Sequence, residues 1–141
     1  MKQFLLDTNI CIHYLKGEYD LQKQFAMVGY ENCFISELTI AELLFGVENG
    51  AEARREKNRE NVARLETAFD DRILLIGRCF AEYSRQKTQT RKVGRPVGEF
   101  DLLIGSTAIV HGLTLVTRNS KDFAGLVGIR LENWIDLPRQ L

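Results

Sequence analysis

Phe4-Leu5-Leu6-Asp7-Thr8-Asn9 is the stretch that decides how this chain is read. A continuous apolar run of this length fits a strand buried on both faces of a parallel sheet. The run, taken from Lys2 to Leu6, stops abruptly at the carboxylate of Asp7. Ile10, Tyr14 and Leu15 then follow at helical spacing, and Lys16-Gly17 is a helix stop. In an open α/β sheet, ligands bind where a central strand ends and the chain turns into a helix. An acid at that place is costly unless a cation or hydrogen-bond donors face it.

Working outward, Leu21, Phe25 and Val28 continue a second helix to Gly29, and Asn32–Ser36 reads as a second strand. A helix from Thr39 to Asn49-Gly50 carries Ile40, Leu43, Leu44 and Val47. Residues 51–69 are highly charged and read as one or two exposed helices, with Asn58 as a possible join. Ile73–Ile76 is a third strand, and a helix from Phe80 turns polar through Thr90. Gly94-Arg95-Pro96-Val97-Gly98 is a loop, because Gly and Pro cluster there. Asp101–His111 is an apolar helix with Gly112 at its end, Leu113–Thr117 a fourth strand and Ile129–Leu131 a candidate fifth. Alternating strands and helices predict an α/β fold: a three-layer α/β/α sandwich around a central, mostly parallel sheet of four or five strands. Right-handed crossovers put the carboxyl ends of those strands on one edge.

At 141 residues the chain is expected to form one domain spanning 1–141. The formal net charge is zero, so any grip on nucleic acid has to be local. Cys11, Cys33 and Cys79 lack the spacing of a zinc site or a disulfide framework and read as reduced core thiols. No stretch approaches the ~20 apolar residues of a membrane span, and Asp7 interrupts the N-terminal run too early for a secretory segment. The expectation is a soluble, cytoplasmic protein with no membrane partner.

Four acids fall on the inferred edge: Asp7 ends the first strand, Glu42 follows the second, Asp101 opens the helix before the fourth, and Asp122 follows the fourth. Each has a purely structural reading. Asp7 fits an Asx turn or helix cap, Glu42 the last residue of a Thr39–Glu42 capping box, Asp101 an acid at a helix N-terminus, and Asp122 a loop cap. Brought together, the four would raise one another's pKa and repel, and a divalent cation is the usual remedy. Oxygen-only donors with no partnered His or Cys suit Mg2+ or Mn2+. Such a centre supports attack of water on a phosphodiester.

The words around these acids resemble a family. Leu5-Leu6-Asp7-Thr8-Asn9, Ser36–Gly46, Phe100-Asp101-Leu102-Leu103-Ile104-Gly105, Leu115–Phe123 and Gly128–Trp134 are similar to the PIN-domain ribonucleases, and more narrowly to VapC-type toxins of toxin–antitoxin pairs. The resemblance implies an α/β/α sandwich and a Mg2+-dependent endoribonuclease in which Mn2+ may substitute. It also implies a homodimer, or a hetero-oligomer with an antitoxin protein that blocks the active site. The implied substrate is structured RNA, above all tRNA and in a close subgroup initiator tRNA. By matching position Asp7 and Asp101 would be the principal metal ligands, Glu42 would complete the cluster, and Asp122 would be the fourth acid. Many members carry an acid where this chain has Asn119, which makes Asp122 the only acid of that word. Thr8 and Ser36 carry hydroxyls beside the acids and are candidates either to orient them or only to cap helices, and Asn119 is a candidate to hold a water or the substrate phosphate.

Arg95 ends a basic run, Arg85 to Arg95, leading to Asp101, which is either a grip for RNA phosphates or a solvated helix face; Arg118, in the fourth word, is a candidate for a phosphate contact or for pairing with an acid. The charged segment 51–69, with Leu44, Phe45 and Val47, is either a solvated arm or one wall of a groove for an antitoxin helix. Two other functions compete. A non-catalytic PIN-like module that binds RNA or protein would be expected to have lost acids, and all four are present. An aspartyl-phosphate enzyme would carry a second acid two positions after Asp7, where Asn9 stands.

Overall fold

The computed structural model describes residues 2–136. Its elements are β1 (Phe4–Leu6), α1 (Thr8–Leu15), α2 (Leu21–Val28), β2 (Cys33–Ser36), α3 (Glu37–Asn49), α4 (Glu52–Phe69), β3 (Ile73–Leu74), α5 (Phe80–Lys92), α6 (Glu99–Val110), β4 (Thr114–Val116), α7 (Ser120–Phe123) and β5 (Leu131–Glu132). The strands form one sheet in the order β3-β2-β1-β4-β5, with every pairing parallel. The strand order reverses direction between β1 and β4, which makes the carboxyl end of β1 the switch point of the sheet.

Alternation along β1 divides the interior into two cores. Phe4 and Leu6 pack with Ile10, Phe25, Leu43, Leu65, Phe69 and Trp134 on the face covered by α1 to α4. Leu5 packs with Leu102, Ile104, Ala108, Leu115, Phe123 and Leu126 on the opposite face, under α6 and α7. The three layers expected from the sequence are therefore present, with β1 fully enclosed between them. Trp134 sits edge-on to Phe4 with ring centroids 5.1 Å apart, as a core residue. The three cysteines are buried free thiols. Among the described residues, no helix is long and apolar enough to cross a membrane.

Several boundaries differ from the sequence reading. α3 begins at Glu37, with the Ser36 hydroxyl accepting from the Leu38 N–H at 3.1 Å. The Thr39–Glu42 capping box is thus not formed, and Glu42 lies in the second turn. The charged segment is a single helix through Asn58, held by the buried Val62, Leu65 and Phe69. α6 starts at Glu99, so Asp101 is within its first turn. Residues after β4 include a short helix, α7, where a loop was expected. β5 is shifted to Leu131–Glu132. Gly112 closes α6 at φ +66°, the left-handed conformation expected of it.

Candidate active site

Asp7 follows directly on β1 and is oriented by the end of β4 and the first turn of α1. Its N–H donates to Val116 O at 2.9 Å, which registers it against the end of β4. Its Oδ1 accepts from the Thr8 N–H at 2.8 Å. Its Oδ2 accepts from Thr117 Oγ1 at 2.8 Å and from Asn9 Nδ2 at 3.3 Å. It also caps α1, since its carbonyl accepts from the Ile10 and Cys11 N–H groups. Asp7 is only 6% exposed. Burial pushes its carboxyl up to about 6; the bonds from Thr117 and Thr8 oppose the rise, and Asp101 and Glu42 add to it.

Glu42 reaches the same edge from α3. Its Oε1 accepts from Thr8 Oγ1 at 2.6 Å, and Thr8 Oγ1 lies 3.0 Å from the buried Thr39 Oγ1. Thr8 has one hydroxyl proton and gives it to Glu42, so Thr39 is the donor of the second bond. Asp101, half-buried in the first turn of α6, is pushed upward by burial, then by Asp122 and Glu42. Asp122 is exposed on α7, which is anchored beneath it by the fully buried Phe123. The structure brings the four predicted acids to one edge: Asp122 and Glu42 push Asp101 upward, and Asp101 and Glu42 add to the rise at Asp7.

None of the ion pairs among the described residues involves any of the four. Nor do three of their carboxylates converge, among the described residues, as a ready-made cage for an ion. They lie near one another with no cation among the described residues in a direct ion pair with any of them. The donors are all hard oxygens with no His or Cys among them, a set better suited to Mg2+ or Mn2+ than to zinc.

The PIN-domain family pattern matches residues 4–127. The chain belongs to the PIN-domain family. A tRNA(fMet)-specific endonuclease VapC of Shigella flexneri is 34% identical to it, with 95% of this chain and 99% of the relative aligned. Ribonuclease VapC2 of Rickettsia felis is 32% identical, over 93% and 97%. Among solved structures, VapBC2 from Rickettsia felis bound to a DNA fragment from their promoter superposes with a TM-score of 0.75 at 30% identity, over 93% of this chain and 98% of that one. FitAcB from Neisseria gonorrhoeae superposes at 0.85 over 96% and 100%, and at 24% identity it speaks to the fold alone.

The remaining candidates fall at different distances from the acids of this PIN domain. Thr8 donates to Glu42 at 2.6 Å. Ser36 spends its hydroxyl on capping α3. Asn119 starts α7, its N–H donating to Thr117 Oγ1 at 3.0 Å. Arg118 is committed elsewhere: its guanidinium forks onto Asp136 at 3.0 and 3.1 Å and donates to the Tyr19 hydroxyl at 3.2 Å. Arg95 lines a cleft of about 470 Å3 that also contains Asp101, Asp122 and Lys121. Sequence reasoning did not single out Thr117, Asn9, Thr39 or Lys121. Thr117 is brought to Asp7 by the pairing register, because Leu6 pairs with Val116 and the next residues are Asp7 and Thr117.

Proposed function

We propose that this PIN domain is a Mg2+- or Mn2+-dependent endoribonuclease that acts as the toxin of a toxin–antitoxin pair in the cytoplasm. The observation that carries the reading is the row of Asp7, Glu42, Asp101 and Asp122 at the switch point, with no cation among the described residues paired to it. These four side chains would hold the ion, with Asp7 and Asp101 central. When bound, the ion supplies positive charge to the scissile phosphodiester and lowers the pKa of the attacking water. The chain's own residues keep the carboxylates aimed. Thr117 and the Thr8 N–H fix Asp7, and the Thr39–Thr8 relay fixes Glu42, so little reorganisation is needed when the substrate arrives.

The substrate proposed is structured RNA, tRNA before others. The kinship to a relative named for tRNA(fMet) cleavage makes initiator tRNA the first to test. The protein partner proposed is an antitoxin, by kinship to the toxin–antitoxin complexes. A surface suited to it adjoins the acids. A groove of about 250 Å3 between α1, α3 and α4, lined by Leu15, Val47 and Val62 among others, meets a second cleft of about 410 Å3 at Ile12 and Glu42. Phe45 stands 69% exposed beside it, an apolar anchor point of the helix-in-groove kind.

The test is cleavage of a tRNA pool with Mg2+, Mn2+ or EDTA, comparing the wild type with Asp7→Asn and Asp101→Asn. Metal-dependent cuts at defined phosphodiesters, lost in both variants, are the expected result. Site-specific cleavage surviving in both variants would refute the carboxylate centre. RNA binding with no cleavage and no Mn2+ uptake would instead make the domain a binding module.

A further inference from the structure

A row of acids repels an RNA backbone everywhere except at its bound ion, so a strand needs cations close by to be held in place. The zero net charge of the chain gives no general attraction. Three basic side chains of the basic run and the fourth word are already paired: Lys87 with Glu99 at 2.6 Å, Arg85 with Glu82 at 2.8 Å, and Arg118 with Asp136 at 3.0 Å. Arg95 and Lys121 differ. Both are exposed, both line the 470 Å3 cleft shared with Asp101 and Asp122, and neither enters an ion pair among the described residues, although acids face the same space.

The two cations are also presented from anchored backbone. The Arg95 N–H donates to Thr90 O at 2.9 Å, tying its loop to the end of α5, and Val97 of that loop packs on the second core. Lys121 rides on α7, pinned by Phe123 and Leu126. Between them the wall is small: Gly98, Ala124 and Gly125, where a Cβ added at either glycine would meet no atom within 4 Å. The open space has cations on its walls and the Asp101 and Asp122 carboxylates at one side.

We infer that Arg95 and Lys121 form a phosphate seat that positions the RNA backbone next to the scissile bond, holding a phosphate adjacent to the one that meets the acids. The seat rests on the ribonuclease reading above and gives the strand a definite path across the edge. Arg95 and Lys121 are positioning residues: they bind backbone, not base, and act on substrate affinity rather than on the chemistry.

The test measures steady-state cleavage of a tRNA substrate by the intact protein with Mn2+ at several salt concentrations. It compares wild type, Lys121→Gln, Arg95→Gln, the double variant, and Lys23→Gln on α2 as a remote control. Each seat variant should raise KM about tenfold at low salt with kcat held within about twofold, and should shrink the log–log salt slope by about 0.7 for each cation removed from the RNA backbone. Lys121→Arg should restore most of the affinity. Mn2+ affinity, read by electron paramagnetic resonance without RNA, should stay within about twofold of wild type. A lower kcat or an altered Mn2+ affinity with an unchanged salt slope would overturn the seat, because the two cations would then only balance the acids. Unchanged RNA kinetics with weakened binding of an antitoxin would also overturn it, giving the cleft to a protein partner. Absence of any RNA cleavage by the wild type would overturn the ribonuclease reading itself, and the seat with it.

Discussion

Replacing Asp7 by Asn should abolish cleavage and yet stabilise the metal-free protein. Proton linkage is the cause. Burial raises the Asp7 carboxyl from 3.8 to about 6, so the folded state holds its proton more tightly than the unfolded chain does. The stability this gives is fully present below the unfolded value of 3.8 and is lost as pH rises through about 6. Ionising this carboxyl therefore costs the native state about 2 kcal/mol between pH 4 and pH 7. Asparagine stays neutral, and its side-chain oxygen can still accept from the Thr8 N–H. Whatever the exchange costs in hydrogen bonds is nearly the same at both pH values. The informative quantity is thus a difference of differences: variant minus wild type at pH 7, less the same at pH 4, measured by urea denaturation in EDTA. It should be about +2 kcal/mol, or roughly 7 °C in Tm for a chain of this size. Saturating Mn2+ should reverse the order at pH 7 by stabilising only the wild type. A pH-independent gap would refute the reasoning, since Asp7 would then not be the carboxylate held against its preference.

Chelation should stop cleavage and re-addition of Mn2+ restore it, with a rise in wild-type stability of about 3 kcal/mol when the ion is present at about a hundred times its dissociation constant, followed by thermal melting. Thr117→Val removes the donor that opposes the upward shift of Asp7, so the acid limb of the rate–pH profile should move to higher pH and activity at neutral pH fall about tenfold. In Gly105→Ala, the new methyl would lie 2.3 Å from Leu126 Cδ1 and 3.4 Å from Phe123 Cδ1, forcing Leu126 to turn. The expected loss is about 1–3 kcal/mol by denaturant unfolding, with reduced cleavage because the same two residues hold α7 and Asp122.

What was legible in the sequence was what periodicity and chain direction can carry. The Phe4–Leu6 run has the length of an enclosed strand, and parallel strands put their carboxyl ends on one edge, so Asp7, Glu42, Asp101 and Asp122 could be assigned to that edge without coordinates. What stayed hidden depends on register or on elements too short to have a period. Thr117 meets Asp7 only because β4 lies beside β1 in the register Leu6 to Val116, and strand order is not written in local sequence. α7 is a single turn, fixed by the burial of Phe123 and not by its own propensity. At α3, Ser36 and Thr39 both carry capping signals. Ser36 is the cap because the helix starts directly where β2 ends.

That last correction bears on function. A capping box would have spent Glu42 on the start of its own helix; one turn further in, its carboxylate instead accepts from Thr8, the first residue of α1, at the carboxyl end of β1. Asp7 does cap α1, so for it the structural and chemical readings coincide in one residue. They can still be separated by energy. A cap needs only an acceptor, and Asn or Ser serves about as well as Asp. A carboxylate chosen for capping alone would be stabilised by its donors and titrate low. Here burial outweighs two good hydrogen bonds, and the neighbouring Asp101 and Glu42 push the same way. An acid kept where it is destabilising, among others in no direct ion pair with a cation of the described residues, is consistent with the metal-binding role proposed for it.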